Sequence, residues 1–258
     1  MTLLVRHPVT YREERLYIYH VVFKEFLGFD YRLIAEERRD TLITAEGEEA
    51  RQLIVSEVLF QIPAEKWLSN ESLPAQPLER WKVSNDLPEV STISREIEVI
   101  YGIRLEGGHF YLQDDNEITL GLDIFGSIFF MLTRYEEIVK KDRDQHDRFP
   151  AIASLAYQEG FLERPIVNEY LEILWACLKK LWPMLRRKER VYQLCLSHDV
   201  DNPLGAANKP WFQVLRNTAG DMVKRKDLRL AYHRFLAKFS GNYDKDLNNT
   251  FDFIMSVS

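Results

Sequence analysis

The sequence predicts an α/β protein in two parts: a mixed α/β N-terminal domain over residues 1–188 and a second segment, opened by a strand, over residues 189–258. Three observations carry that expectation. Short runs of strand character interleave with segments of helical periodicity from Leu3 onward. A glycine-opened hairpin pattern lies in the middle of the chain, from Gly107 to Leu122. The basic run Arg186-Arg187-Lys188-Glu189-Arg190 reads as a linker before a fresh apolar strand.

The first element is a short strand from Leu3 to Arg6. A helix follows from Tyr11 to Leu27, with Thr10 as its N-cap and Gly28 as its stop. Leu16, Tyr19, Val22, Phe23 and Phe26 recur at helical spacing and mark its buried face. Tyr31–Ile34, Thr41–Thr44 and Gln52–Val55 read as strands separated by charged turns. Between Ile62 and Val90, Pro63, Pro74, Pro77 and Pro88 make regular structure sparse, and Trp67 and Trp81 are expected to pin that stretch to the core.

Ile97–Tyr101 is a further strand, and the hairpin turns at Asp114-Asp115-Asn116. Asp123 caps a helix expected to run to Lys141, followed by a polar loop to Phe149. Pro165 suits the first turn of a long helix that ends near Trp182-Pro183, with Leu171, Leu174, Trp175, Leu178 and Leu181 as its apolar stripe. Beyond the linker come the strand at 192–197 and helices near Trp211–Val223, Leu228–Phe239 and from Leu247 onward.

With 258 residues, 46% of them hydrophobic, the chain can bury a sizeable core. A formal charge of −6 and a pI near 5.6 speak against a general nucleic-acid binder, which needs surplus Lys and Arg on its contact face. Neither Cys177 nor Cys195 reads as half of a secreted scaffold; both are placed in apolar surroundings. The N-terminus lacks the pattern of a signal peptide, no apolar run is long enough to span a bilayer, and a cytoplasmic location is expected.

The chemistry concentrates in Tyr192-Gln193-Leu194-Cys195-Leu196-Ser197-His198-Asp199-Val200-Asp201-Asn202-Pro203. Side chains alternate along a strand, so Asp199 and Asp201 leave the same side and can converge on one metal ion or substrate, with His198 on the opposite side as a buttress. This segment resembles the first motif of the polysaccharide deacetylase (NodB-like) family of metal-dependent carbohydrate esterases, in its Ser-His-Asp-Val-Asp form. Upstream, Asp123-Ile-Phe-Gly-Ser-Ile-Phe-Phe-Met-Leu-Thr-Arg134-Tyr135-Glu136-Glu137, then Asp147-Arg148-Phe149-Pro150 and Arg164-Pro165, look like the domain that precedes deacetylase domains in some bacterial proteins.

The resemblance implies that residues 189–258 are the first part of a deacetylase-like (β/α) barrel, incomplete in this chain. It implies Asp199 as general base and Asp201 as ligand of a divalent metal, zinc by the family's usual ligand set, acting on an N-acetylated or O-acetylated carbohydrate. The family completes its metal site with His-x-x-x-His. His7, His20, His109, His146, His198 and His233 include no such pair, so the chain alone is expected to be inactive, as a fragment cut at Ser258 inside a helix-like segment.

Other readings stay open. Asp199 and Asp201 could be a polar strand-to-turn transition. They could also be the Asp-x-Asp of a haloacid dehalogenase-like phosphatase, where Pro203 departs from the usual Thr or Val, or that of a sugar-nucleotide transferase. The N-terminal domain could be a glycan-binding or assembly module without catalysis. Arg134, Tyr135, Glu136 and Glu137, with Asp147, Arg148 and Arg164, form a second polar constellation, read first as a buried ion-pair network and second as a surface for an acidic or hydroxylated sugar. The basic stretch Lys209–Lys238 reads as a solvated helix face or a region that steers a sugar phosphate or anionic glycan.

Overall fold

The computed structural model describes residues 1–90, 92–189, 191–199, 204–246 and 248–257, and it divides the chain into two compact units, 1–189 and 190–258. The first unit is mixed α/β. Strands β1 (Leu3–Pro8), β2 (Tyr31–Glu36), β3 (Asp40–Ala45), β4 (Gln52–Ser56), β7 (Tyr111–Gln113) and β8 (Glu117–Leu120) form one sheet in the order β2-β1-β3-β4-β8-β7. β5 (Glu79–Trp81) and β6 (Ile97–Val99) make a separate antiparallel pair.

Strand β1 runs parallel to β2, and β4 runs parallel to β8. Each parallel pair requires a crossover, and the first is the helix α1 (Arg12–Tyr19) with its continuation. Val5 sits opposite Ile43, Ile43 opposite Leu53, and Leu53 opposite Ile118, so a single row of apolar side chains crosses four strands on one face. That row is fully buried, whereas Leu42, Ile54 and Thr119 on the other face are half-buried. The helices α1, α3 (Ile124–Leu132) and α6 (Ile166–Leu181) pack together, with α6 reaching β4 and β8. Tyr19, Phe23 and Phe125 meet edge-to-face or tilted within the resulting core.

Two expectations about helices are corrected. Thr10 does not cap α1: Tyr11 is the N-cap, in the left-handed region at φ 50°, and the carbonyl of Thr10 accepts a hydrogen bond from Arg15 Nε at 2.6 Å. After Tyr19 the backbone widens into a π-helical stretch, His20–Phe26, so the segment is not one uniform α-helix. The helix after Asp123 also breaks early. Arg134, at φ 55°, ends the α3 run, and a short α4 (Tyr135–Val139) restarts it.

Between β4 and β7, four short 3₁₀ turns, the four-residue α2 (Val83–Asp86) and the small β5–β6 pair match the proline-rich expectation. Trp67 lies against Tyr11 at 4.4 Å and Tyr135 at 5.1 Å, and Trp81 Nε1 donates to Asp86 at 2.7 Å. Gly102 and Gly121 allow the chain at 101–103 to lie against the end of β8. A Cβ on Gly121 would stand 2.2 Å from the Ile103 carbonyl oxygen, which leaves no room for any side chain. Near the end of this unit come α5 (Leu155–Gln158) and the docked segment 182–189, where Lys188 N–H bonds to the Leu27 carbonyl. The basic run is thus anchored through Lys188.

The second unit holds α7 (Trp211–Val223), α8 (Leu228–Ser240), a 3₁₀ turn and α9 (Phe251–Val257). Its own buried apolar cluster is small, consisting of Ala206, Val214 and Ala237. No helix among the described residues is long and apolar enough to cross a membrane.

Candidate functional site

The expected strand at 192–197 is not a strand. Residues 191–199 have no regular structure and are exposed throughout, Asp199, His198 and Cys195 included. Cys195 therefore lacks the apolar surroundings expected of it, unlike Cys177, which is buried in α6. Strand geometry needs a hydrogen-bonded neighbour, and the described residues pair none with this run. Asp201, with Val200, Asn202 and Pro203, lies outside the described residues.

The second constellation separates into distinct local structures. Arg134 pairs with Glu137 on the surface. Tyr135 is buried: its hydroxyl donates to Ser72 Oγ at 2.9 Å and accepts from Leu68 N–H at 2.8 Å, which ties α4 to the 3₁₀ turns before β5. Glu136 accepts from the Leu155 backbone at 2.9 Å and from Lys140 at 2.9 Å, holding the start of α5. Arg148 pairs with Asp144 at the surface, with Asp147 in the turn between them. Arg164 bridges Glu98 at 2.6 Å and Glu169 at 2.8 Å, clamping β6 to α6. Tyr135, Glu136 and Arg164 thus serve packing, while Arg134 and Arg148 face water.

The structure also assembles a polar cluster that sequence reasoning missed. Glu57 directly follows β4, Thr41 is the second residue of β3 and His7 the last but one of β1. Strand register and alternation bring all three to the helix-covered face at one end of the sheet. Arg15 on α1 reaches Glu57 with two hydrogen bonds, 2.5 and 2.6 Å, and both side chains are 0% exposed. Thr41 donates to the same carboxylate at 2.6 Å, Tyr19 hydroxyl lies 2.7 Å from Thr41 Oγ1, and the Arg15 guanidinium sits 4.9 Å over the Phe60 ring.

Asp123, at the N-cap of α3, completes this end of the sheet. Its carboxylate accepts from Gly126 N–H at 2.8 Å, Val58 N–H at 2.7 Å and Leu59 N–H at 2.9 Å. Burial, and then the negative charge of Glu57, push its pKa up to about 6 against those three donors. His7 is pushed below its ordinary value, first by burial. This is the carboxyl end of the parallel strands β1, β4 and β8, the edge at which open α/β sheets commonly bind ligands. Here it is filled by protein: the Arg15–Glu57 pair plugs it and Phe60 covers the pair. The only prior sign of it was a single Glu inside the apolar run Leu53–Phe60.

Residues 3–183 match the family of unknown function DUF7033. The chain belongs to that family. The match spans the first unit up to the end of α6 and the turn after it, and so covers the plugged sheet edge and the Tyr135–Glu136 supports. No curated protein and no solved structure matches the chain.

In the second unit, two carboxylates organise the helices. Asp221, 1% exposed, lies between Arg225 and Arg234, each at 2.7 Å. Asp246 accepts from four backbone N–H groups, those of Gly205, Ala206, Ala207 and Asn248. Burial works to raise its pKa, but those four donors outweigh it and hold the carboxyl below its ordinary range. Among the described residues, no three His, Cys, Asp or Glu side chains come together to hold a metal ion.

Proposed function

We propose that residues 189–258 are the opening part of a deacetylase-like (β/α) barrel, and that the protein hydrolyses acetyl groups from a carbohydrate once that barrel is completed by further polypeptide. The observation that carries this reading is the run before Asp199. Tyr192, Leu194 and Leu196 alternate as in a strand, yet they are 86, 71 and 50% exposed. Alternating apolar residues of this kind belong in a sheet. The aromatic residues Phe212, Phe239 and Phe253 are similarly exposed on the helices of the same unit, whose own core is too small to bury them.

Zinc does not fit the described residues by themselves, since they provide no cluster of three ligands. No step is therefore assigned through it. The group this chain supplies is the Asp199 carboxylate. As base it takes a proton from the attacking water and returns one to the leaving nitrogen as the C–N bond breaks, giving acetate and a free amine.

The test is acetate release from N-acetylated and O-acetylated oligosaccharides by the whole product of the gene. Asp199→Asn is expected to slow release by about 10²–10⁴-fold, the usual contribution of a general base. No release from any of these substrates, or an Asp199→Asn protein as fast as its parent, would sink the reading.

A second reading is favoured by the self-sufficient core of the first unit and by a groove of about 540 Å³ on the less covered face of its sheet. Arg39, Asp40, Ser56, Gln61 and Thr119 line it, groups suited to sugar hydroxyls. As a glycan-binding module the protein would bind the same oligosaccharides saturably, release no acetate, and be indifferent to Asp199→Asn.

A further inference from the structure

We infer that a cationic groove on the second unit binds a sugar phosphate, a small hydroxylated molecule carrying a phosphate group. The groove, of about 850 Å³, runs along α7 and α8 and is lined by Lys209, Arg216, Lys224, Arg225 and Arg234 against one acid, Asp221. That volume falls within the usual range for small-molecule sites. The charge is concentrated against the sense of the whole chain, whose formal net charge is −6.

The cations divide into two sets with different tasks. Arg225 and Arg234 are held by the buried Asp221 carboxylate, and Arg234 also donates to the Gly205 carbonyl at 3.3 Å, so these guanidiniums are oriented before any ligand arrives. Pre-orientation lowers the entropy lost on binding. Lys209, Arg216 and Lys224 make no ion pair with any described residue. Their charge is uncompensated locally and available to an anion. Guanidinium forks match phosphate oxygens in pairs, which favours phosphate over a lone carboxylate.

Two further features favour a hydroxylated body on that phosphate. Asn217 and Asn248 add amide groups that both donate and accept, as sugar hydroxyls require. Gly220, inside α7, also lines the groove, and a Cβ there would meet nothing within 4 Å. Glycine weakens a helix interior relative to other residues, and a side chain at this position would project into open space. Gly205 and Asn248, whose backbone N–H groups are tied down by Asp246, also line the groove.

The experiment is calorimetric titration of the full chain with glucose 6-phosphate, inorganic phosphate and glucose. Saturable binding of the sugar phosphate is expected, with inorganic phosphate about tenfold or more weaker and glucose silent. Arg216→Ala and Lys224→Ala, which break no ion pair, should each weaken binding several-fold. Gly220→Leu retains every charge and improves helix propensity, and it should weaken binding several-fold by occupying part of the groove. Circular dichroism checks that each variant remains folded. The inference is overturned if glucose 6-phosphate does not saturate at millimolar concentration, if inorganic phosphate binds as tightly, or if the folded variants bind like the parent. Asp199→Asn leaves this binding unchanged, so its outcome is independent of acetate release.

Discussion

Replacing Glu57 by Gln retains the side-chain shape and removes the charge that Arg15 faces. In the parent, Oε1 accepts from Arg15 at 2.5 Å and Thr41 at 2.6 Å, and Oε2 accepts from Arg15 at 2.6 Å. The amide can offer only one oxygen, so its NH₂ confronts the guanidinium in either orientation, and in one of them Thr41 as well. With both partners 0% exposed, water cannot replace the lost acceptor. Breaking a fully buried pair from one side costs about 3–5 kcal/mol, because an uncompensated charge stays buried.

Removing both partners is a different matter. Arg15→Met with Glu57→Leu takes out both charges, while Tyr19 and Thr41 still hydrogen-bond to each other at 2.7 Å. The double variant should therefore recover most of the loss and unfold within about 1–2 kcal/mol of the parent. Urea unfolding followed by tryptophan fluorescence reads this directly, since Trp67, Trp81, Trp175 and Trp182 all belong to the first unit. If Glu57→Gln costs under about 1 kcal/mol, as an exposed pair would, the claim that the sheet edge is sealed by this ion pair is wrong. A double variant less stable than both single ones would refute the account of its energetics.

Two more outcomes follow from Asp123 and its neighbour. Its carboxyl is pushed up to about 6 in the fold, against an ordinary value of 3.8, so the folded chain binds this proton more tightly than the unfolded chain does. The resulting stability is fully present below about pH 4, is lost as pH rises through 6, and amounts to roughly 3 kcal/mol. Parent minus Asp123→Asn, measured as unfolding free energy across that window, should fall as pH rises; a flat or rising difference would contradict it. Gly126→Ala should destabilise despite the better helix propensity of alanine, by about 1–3 kcal/mol, because the new Cβ would lie 2.3 Å from Asp123 Oδ2 and 2.8 Å from Leu59 Cβ. An unchanged or raised melting temperature would show that the cap can shift freely.

Period and punctuation were enough to reveal much of the first unit. The strands at 3–8, 31–36, 40–45 and 52–56, the hairpin turning at 114–116 and the helix opened by Pro165 all rest on local signals: alternation, glycine and aspartate turns, and a stripe of leucines. A backbone switch is not such a signal. Nothing in His20–Phe26 distinguishes π-helical from α-helical spacing, because both bury Val22 and Phe23. Arg134 likewise carries no turn chemistry that would announce a break in the helix after Asp123.

The candidate chemistry divides along the same line. Asp199 and Asp201 are visible as an acidic pair after an apolar run because the pattern is local. Whether that run becomes a strand depends on a partner elsewhere, and residues 191–199 have none among the described residues. The Arg15–Glu57 pair joins residues 42 apart in the chain. Only strand register and the placement of α1 on the sheet bring them together, and no local pattern encodes a distance across a sheet. The sequence by itself determined which segments take strand or helical form and which of their faces are apolar, because those follow from neighbours a few residues away. Tertiary structure alone decided which charges are sealed together and which line an open groove, because burial is a property of the whole packed chain.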